Sequence, residues 1–239
     1  MSRLLLLGDI YVQQLNGVAV QYQFDNIPDN RELEIDVLCV GGVTPQGAVN
    51  PNASFDGMDV FKEQLMDLEE GKYDYVGIML GEVDCGFVFW YLAQQKKVSI
   101  FDQLERSLKN YEKFVTSYIL PKYEPERVCI FGSVLPTIPD DADRKFLKGA
   151  RAEVKATQYQ RTALTLVYNS RLQSLARKLG VYYIDITLET IDFSKGILNE
   201  SYSNPDPSNH LLDEGRAAPL LADRIVNDWV SIEDYKNHF

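Results

Sequence analysis

Arg3-Leu4-Leu5-Leu6-Leu7-Gly8-Asp9-Ile10-Tyr11-Val12 is the stretch whose reading decides the fold. Four consecutive leucines run straight into Gly8 and Asp9. A short apolar run without alternation, closed by glycine, reads as a parallel strand buried on both faces. In an open sheet of such strands, ligands bind outside the carboxyl ends. Asp9 falls at such an end, where a charge is out of place unless it has a task.

Two later segments repeat the design. Tyr75 to Leu80 is apolar and runs into Gly81-Glu82-Val83-Asp84, and Asp206 and His210 stand just before the last helical stretch. Three polar sites at three element ends can meet in one crevice.

Between them the chain alternates strand and helix patterns. Ile10 to Leu15 reads as the start of a helix stopped by Asn16-Gly17, Val18 to Phe24 as a short edge strand, and Leu33 to Val40 as a second strand ending in Gly41-Gly42. Met58 to Glu70 has apolar residues at helical spacing, with Gly71 as its cap. Phe87 to Leu92 is strongly aromatic and either packs in the core or walls the crevice. A long amphipathic helix from Ile100 to Tyr118 starts near Ser99 or Asp102 and is ended by Pro121. Val128 to Phe131 is the next strand.

Residues 137–152 hold Asp140, Asp141 and Asp143, then Arg144, Lys145, Lys148 and Arg151. Such a run is ordinarily a solvated surface, and a lid over the site is the alternative. Glu153 to Leu179 reads as a second long helix capped by Gly180, Val181 to Ile186 as a strand, and Leu188 to Asn204 as irregular chain. Leu211 to Trp229 reads as a closing helix interrupted near Pro219. The whole predicts one α/β domain over residues 1–239: a three-layer α/β/α sandwich with a central parallel sheet, flavodoxin-like in pattern.

Composition sets the limits. The chain has 239 residues, 45% of them apolar, which suffices for a large core without staples. Its net charge of −11 argues against nonspecific binding to nucleic acid or an anionic membrane. Cys39, Cys85 and Cys129 sit in or beside apolar strand-like runs. An odd count so placed reads as free thiols in a reducing compartment, and with no membrane-length run the expected setting is the cytoplasm.

In order and pattern, these blocks resemble the SGNH (GDSL-type) hydrolase family over nearly the whole chain. The family's first block is Gly-Asp-Ser, its third Gly-x-Asn-Asp and its last Asp-x-x-His. Here the first reads Gly8-Asp9-Ile10, so isoleucine stands where the resemblance puts the nucleophilic serine. The third reads Gly81-Glu82-Val83-Asp84, with Val83 at the oxyanion asparagine. The last reads Asp206-Pro207-Ser208-Asn209-His210, one residue longer than usual. The second-block glycine, an oxyanion donor, is Gly42 or Gly47.

The resemblance implies His210 as general base oriented by Asp206. His238, the other histidine, stands next to the carboxyl end of the given sequence and reads as surface. Isoleucine has no lone pair, so ordinary serine chemistry is expected to be absent or very weak. Tyr11 is a neighbour of the lost serine whose side chain is expected to point elsewhere. Cys85 is the other replacement, although Glu82 and Asp84 beside it would raise its pKa, and a small packing thiol is the plainer reading. Asp9, Glu82, Asp84, Asp206 and His210 could form a carboxylate–histidine pocket for a hard cation. Their spacing matches no metal motif, so neither metal nor cofactor is expected.

Two functions remain open at this level. One is an esterase or acyltransferase with an altered nucleophile, for which the resemblance suggests O-acylated carbohydrate as a substrate; the other is an inactive descendant that keeps the pocket for a small-molecule or carbohydrate ligand or for assembly.

Overall fold

A computed structural model describes residues 1–23, 30–46, 57–143, 147, 150–206 and 209–236. Gly47, Arg144, Lys145, Lys148 and His238 lie outside the described residues.

The elements in chain order are β1 (Ser2–Gly8), a 3-10 turn (Ile10–Leu15), β2 (Val18–Tyr22), β3 (Arg31–Cys39), α1 (Gly57–Asp67) and β4 (Tyr75–Met79). A π turn (Asp84–Val88) then leads into α2 (Phe89–Lys96), followed by α3 (Ile100–Phe114) and β5 (Val128–Phe131). Next come α4 (Ala150–Glu153), α5 (Gln158–Leu179), β6 (Tyr182–Ile184) and α6 (Thr187–Thr190). The chain closes with β7 (Ile191–Asp192), β8 (Ile197–Leu198), α7 (Glu214–Ile225), a second π turn (Val226–Val230) and α8 (Ser231–Lys236).

The main sheet has the order β2-β3-β1-β4-β5-β6. Every pair in it is parallel except β2–β3 at the edge. The leucine run explains the layering. Leu5 and Leu7 join the core formed with α1, α3 and α5, including Phe61, Tyr111 and Leu172. Leu4 and Leu6 join the opposite core with Leu221, Ile225 and Trp229 of the closing helices. Successive strand residues point to opposite faces, so four leucines in a row require a covered sheet on both sides. This is the α/β sandwich that the sequence predicts.

Several boundaries differ from the expectation. Ile10–Leu15 forms a 3-10 turn. Helix α1 stops at Asp67, and Gly71 sits beyond it in a turn. Helix α5 begins at Gln158 because Thr157 and Gln160 form a capping box there; the preceding Ala150–Glu153 is a separate short turn of helix. Gly180 does close α5 in the left-handed region. The irregular stretch holds α6 and the β7–β8 hairpin. The closing helix is not broken at Pro219, which lies inside α7; the ladder loosens instead at Val226–Val230. Asp213, expected inside that helix, is its N-cap and accepts from the Arg216 amide.

Candidate functional site

The carboxyl edge of the sheet collects the charged groups. β1 delivers Gly8 and Asp9 there, and packing leaves room for nothing larger than glycine at position 8. A Cβ would lie 2.4 Å from Val12 Cγ1 and 2.7 Å from the Met79 carbonyl oxygen. Asp9 is buried, and its Oδ1 accepts the Gly42 amide at 2.5 Å. Oδ2 is buried with no partner. Burial raises the Asp9 pKa, while the amides of Ile10 and Gly42 and the charge of Arg151 pull it down.

β4 delivers the second acidic group. Gly81 has φ +124°, and a Cβ there would lie 2.5 Å from the Tyr168 ring. Glu82 follows, 5% exposed, with both carboxylate oxygens buried and without a partner. Desolvation pushes its pKa up to about 7; Arg151 and Arg161 oppose the rise and Asp9 adds to it. Asp84 is fully buried and likewise raised to about 7 by desolvation, against the Ser107 and Thr44 hydroxyls. Ser107 donates to Asp84 Oδ2 at 2.7 Å and lies 3.0 Å from the Tyr168 hydroxyl. Ser107 has one proton and gives it to Asp84, so Tyr168 donates to Ser107. Asp84 therefore ties α3 and α5 to the π turn that leads into α2.

Arg151 and Arg161 are the functional residues that the blocks do not announce. Both act on Glu82, and Arg151 also acts on Asp9. They bring part of residues 137–152 to the site: Thr137 and Ile138 are buried and Arg151 stacks 4.7 Å over the Phe87 ring, while Asp140, Asp141 and Asp143 are exposed, as a solvated surface requires. The aromatic stretch divides, Phe87 facing this region while Phe89 and Leu92 lie in the core. Arg161 carried a legible signal. It continues the buried stripe of Leu164, Tyr168, Leu172 and Leu175 at helical spacing, where a charge is out of place.

The remaining blocks meet at Ile10, which is 41% exposed and presents only a hydrocarbon where the resemblance puts the serine. Beside it a cavity of about 160 Å³ is lined by Ile10, Tyr11, Gln14, Asn204, Asn209 and Leu211, among others. Tyr11 is buried and donates to the His210 carbonyl oxygen at 2.8 Å, and the Thr137 hydroxyl donates to the same oxygen. His210 thus reaches the crevice loop pinned by its backbone. Asp206 is exposed, its amide donating to Asn204 Oδ1 and its carbonyl accepting from the Asn209 amide. Cys85 is fully buried, and desolvation with the charges of Asp84 and Glu82 holds its pKa well above the ordinary thiol value. That environment suits packing and opposes a thiolate nucleophile. Tyr11 is likewise pushed well above its usual value by burial and by Glu82. Among the described residues no three side chains of His, Cys, Asp or Glu are grouped to hold a metal ion, and no helix is long and apolar enough to cross a membrane.

The geometry can hold a polar ligand against paired carboxylates and guanidinium groups. It is poorly equipped for an oxyanion. The amide of Gly42 is already spent on Asp9 and Val83 offers no side-chain donor, while Gly47, the other glycine candidate, lies outside the described residues.

Comparison with solved structures supports the architecture. The chain is similar to the M. smegmatis aryl esterase, with TM-score 0.55 and 15% identity over 94% of this chain and 98% of that one. It is also similar to a GDSL-like lipase from Bacteroides thetaiotaomicron, with TM-score 0.55 and 13% identity over 93% and 86%. A carbohydrate acetylesterase family member from Sinorhizobium meliloti matches with TM-score 0.54 and 15% identity over 95% and 98%. No family profile matches the sequence, and no curated protein does. The chain has the SGNH hydrolase fold.

Proposed function

We propose that this SGNH-fold chain binds a small polar ligand in the crevice at the carboxyl edge of its sheet and does not hydrolyse esters by the serine route. The observation that carries this is the Gly42 amide, which donates to Asp9 Oδ1 at 2.5 Å beside Ile10. Isoleucine stands at the nucleophile position, and Gly42, one of the two glycines expected to supply the backbone donor, has its amide occupied. One oxyanion donor is worth roughly 3 kcal/mol of barrier, so valine at position 83 in place of asparagine already removes a good part of what the fold offers an acyl transfer, before the nucleophile is counted. The esterase and acetylesterase neighbours make acylated small molecules and sugars the first ligands to try. The free thiols Cys39, Cys85 and Cys129 support a reducing compartment such as the cytoplasm.

The test is labelling with a fluorophosphonate followed by intact-mass measurement. The expected result is an unmodified chain. A stoichiometric adduct would show an activated nucleophile and overturn the reading.

One observation favours a second reading, a hydrolase with water as the altered nucleophile. Glu82, with its pKa near 7, is poised as a general base. Turnover of an aryl acetate that rises through about pH 7 and disappears in Glu82→Gln, but survives His210→Ala, would establish it.

A further inference from the structure

We propose that the cavity walled by Arg151, Lys155 and Arg161 is an anion seat, taking the carboxylate or phosphate group of a small ligand that extends into the crevice. The inference deepens the binding reading above and rests on it.

The cavity holds about 230 Å³ and lies between the segment around Ile138, the Arg151–Thr157 stretch and the first turn of α5, with Phe87 as its floor. Arg161 is the built part. It is 4% exposed, and one guanidinium nitrogen, Nη2, donates to the Ile138 carbonyl at 2.5 Å. Nε and Nη1 are buried and have no partner. Buried donors are nearly always satisfied, and a cation left with two unmet donors is held at a cost unless something brings acceptors to it. Burial already depresses the Arg161 pKa, which an anion in the cavity would relieve.

Two more cations line the same space. Arg151 is fixed by its stacking on Phe87, the ring that Arg161 also faces at 6.0 Å. Lys155 stands on the opposite lip, its amide held by Gln94 Oε1 at 2.8 Å. The lip is therefore a fixed piece of backbone that joins α2 to the start of α5.

The opposing charge on the wall is Asp140. Its Oδ1 accepts the Gln158 amide at 2.5 Å and lies 3.8 Å from Arg161 Nη2. That carboxylate is engaged with the first turn of α5 and is 56% exposed, so it compensates Arg161 only through partly hydrated space. Glu82 feels the charges of both Arg151 and Arg161, and Asp9 that of Arg151. Among the described residues, three cations and one carboxylate line the cavity, and Asp9 and Glu82 lie within the electrostatic reach of its arginines. A ligand with an anionic end and a hydroxyl-rich or acyl-bearing body matches that division, with the anion on the arginines and hydrogen-bond donors towards Asp9 and Glu82.

The experiment titrates the full chain with inorganic phosphate in one arm and succinate in the other. Sodium chloride at matched ionic strength is the reference. Calorimetry and melting temperature are the readouts. The proposal expects saturable heat and a raised melting temperature with at least one of the two anions beyond the chloride effect, and the tighter arm identifies the group. Arg151→Ala with Lys155→Ala, both at partly or fully exposed positions, should weaken binding by about tenfold or more, the loss of a charge-assisted contact. Lys178→Ala, a cation on the exposed far end of α5, should leave it unchanged. The seat is overturned if neither anion exceeds chloride, or if the Arg151/Lys155 variant binds as the wild type does. Aryl acetate turnover measured on the same sample separates the two ideas: histidine-dependent hydrolysis would sink the binding-only function while the titration still judges the seat.

Discussion

Glu82 is where pH should act on this molecule. Its folded pKa is raised from 4.5 to about 7, chiefly by desolvation. The folded state therefore holds the proton more tightly than the unfolded state does. The stability this gives is fully present below about pH 4.5 and is lost as pH rises through about 7. For a group this deeply buried the loss is about 3 kcal/mol. Glu82→Gln lacks the titration, so urea unfolding at a series of pH values should show the variant gaining on wild type between pH 4.5 and 8. A difference that stays constant with pH would sink the assignment. Gly81 is the other decisive single residue. An alanine there meets both the positive φ and the Tyr168 ring, and Gly81→Ala should lower stability by roughly 1–3 kcal/mol. A urea midpoint unchanged from wild type would contradict that.

At the scale of elements, the closing helices depend on one side chain. Asp234 of α8 accepts from the Tyr22 and Tyr75 hydroxyls, and its carboxylate lies 3.4 Å from Arg31 Nη1 and 3.8 Å from Arg127 Nη1. It joins α8 to the amino-terminal ends of β3 and β4, at the sheet edge opposite the crevice. Asp234→Ala removes a buried carboxylate shared by two phenols and two arginines and should cost about 3–5 kcal/mol, read as a fall in the denaturation midpoint. The sequence showed none of this, because a single aspartate in a polar stretch has no periodic signature. Strands were more legible. Leu4–Leu7 and Val128–Phe131 are apolar on both faces, a pattern that only a covered parallel strand demands. Helix ends were less so. Residues 153–156 are compatible with helix, and only the Thr157–Gln160 box, which competes for the same start, fixes the boundary of α5. Within the site, Gly8, Asp9, Gly42, Glu82 and Asp84 were marked by their place after strands. Arg151 could not be read, since its role comes from a ring 64 positions earlier in the chain that it meets only after folding.

For the whole molecule, fold and chemistry point in different directions. Two cores on either side of one sheet reproduce the architecture of esterases at 13–15% identity. Packing specifies that architecture, and many sequences satisfy it. Ester hydrolysis depends on a few atoms, and here Ile10 and Val83 stand where the resemblance puts the nucleophile and one donor, and the Gly42 amide is committed to Asp9. In their place stand buried carboxylates opposed by two arginines, the arrangement on which the proposed binding of a charged ligand rests. The measurement that tests this most directly is the turnover of aryl acetates by the purified chain beside its His210→Ala variant. The account predicts rates for the two that cannot be told apart. Turnover by the wild type that the variant loses would contradict it, since it would require a histidine-activated nucleophile that this site does not present.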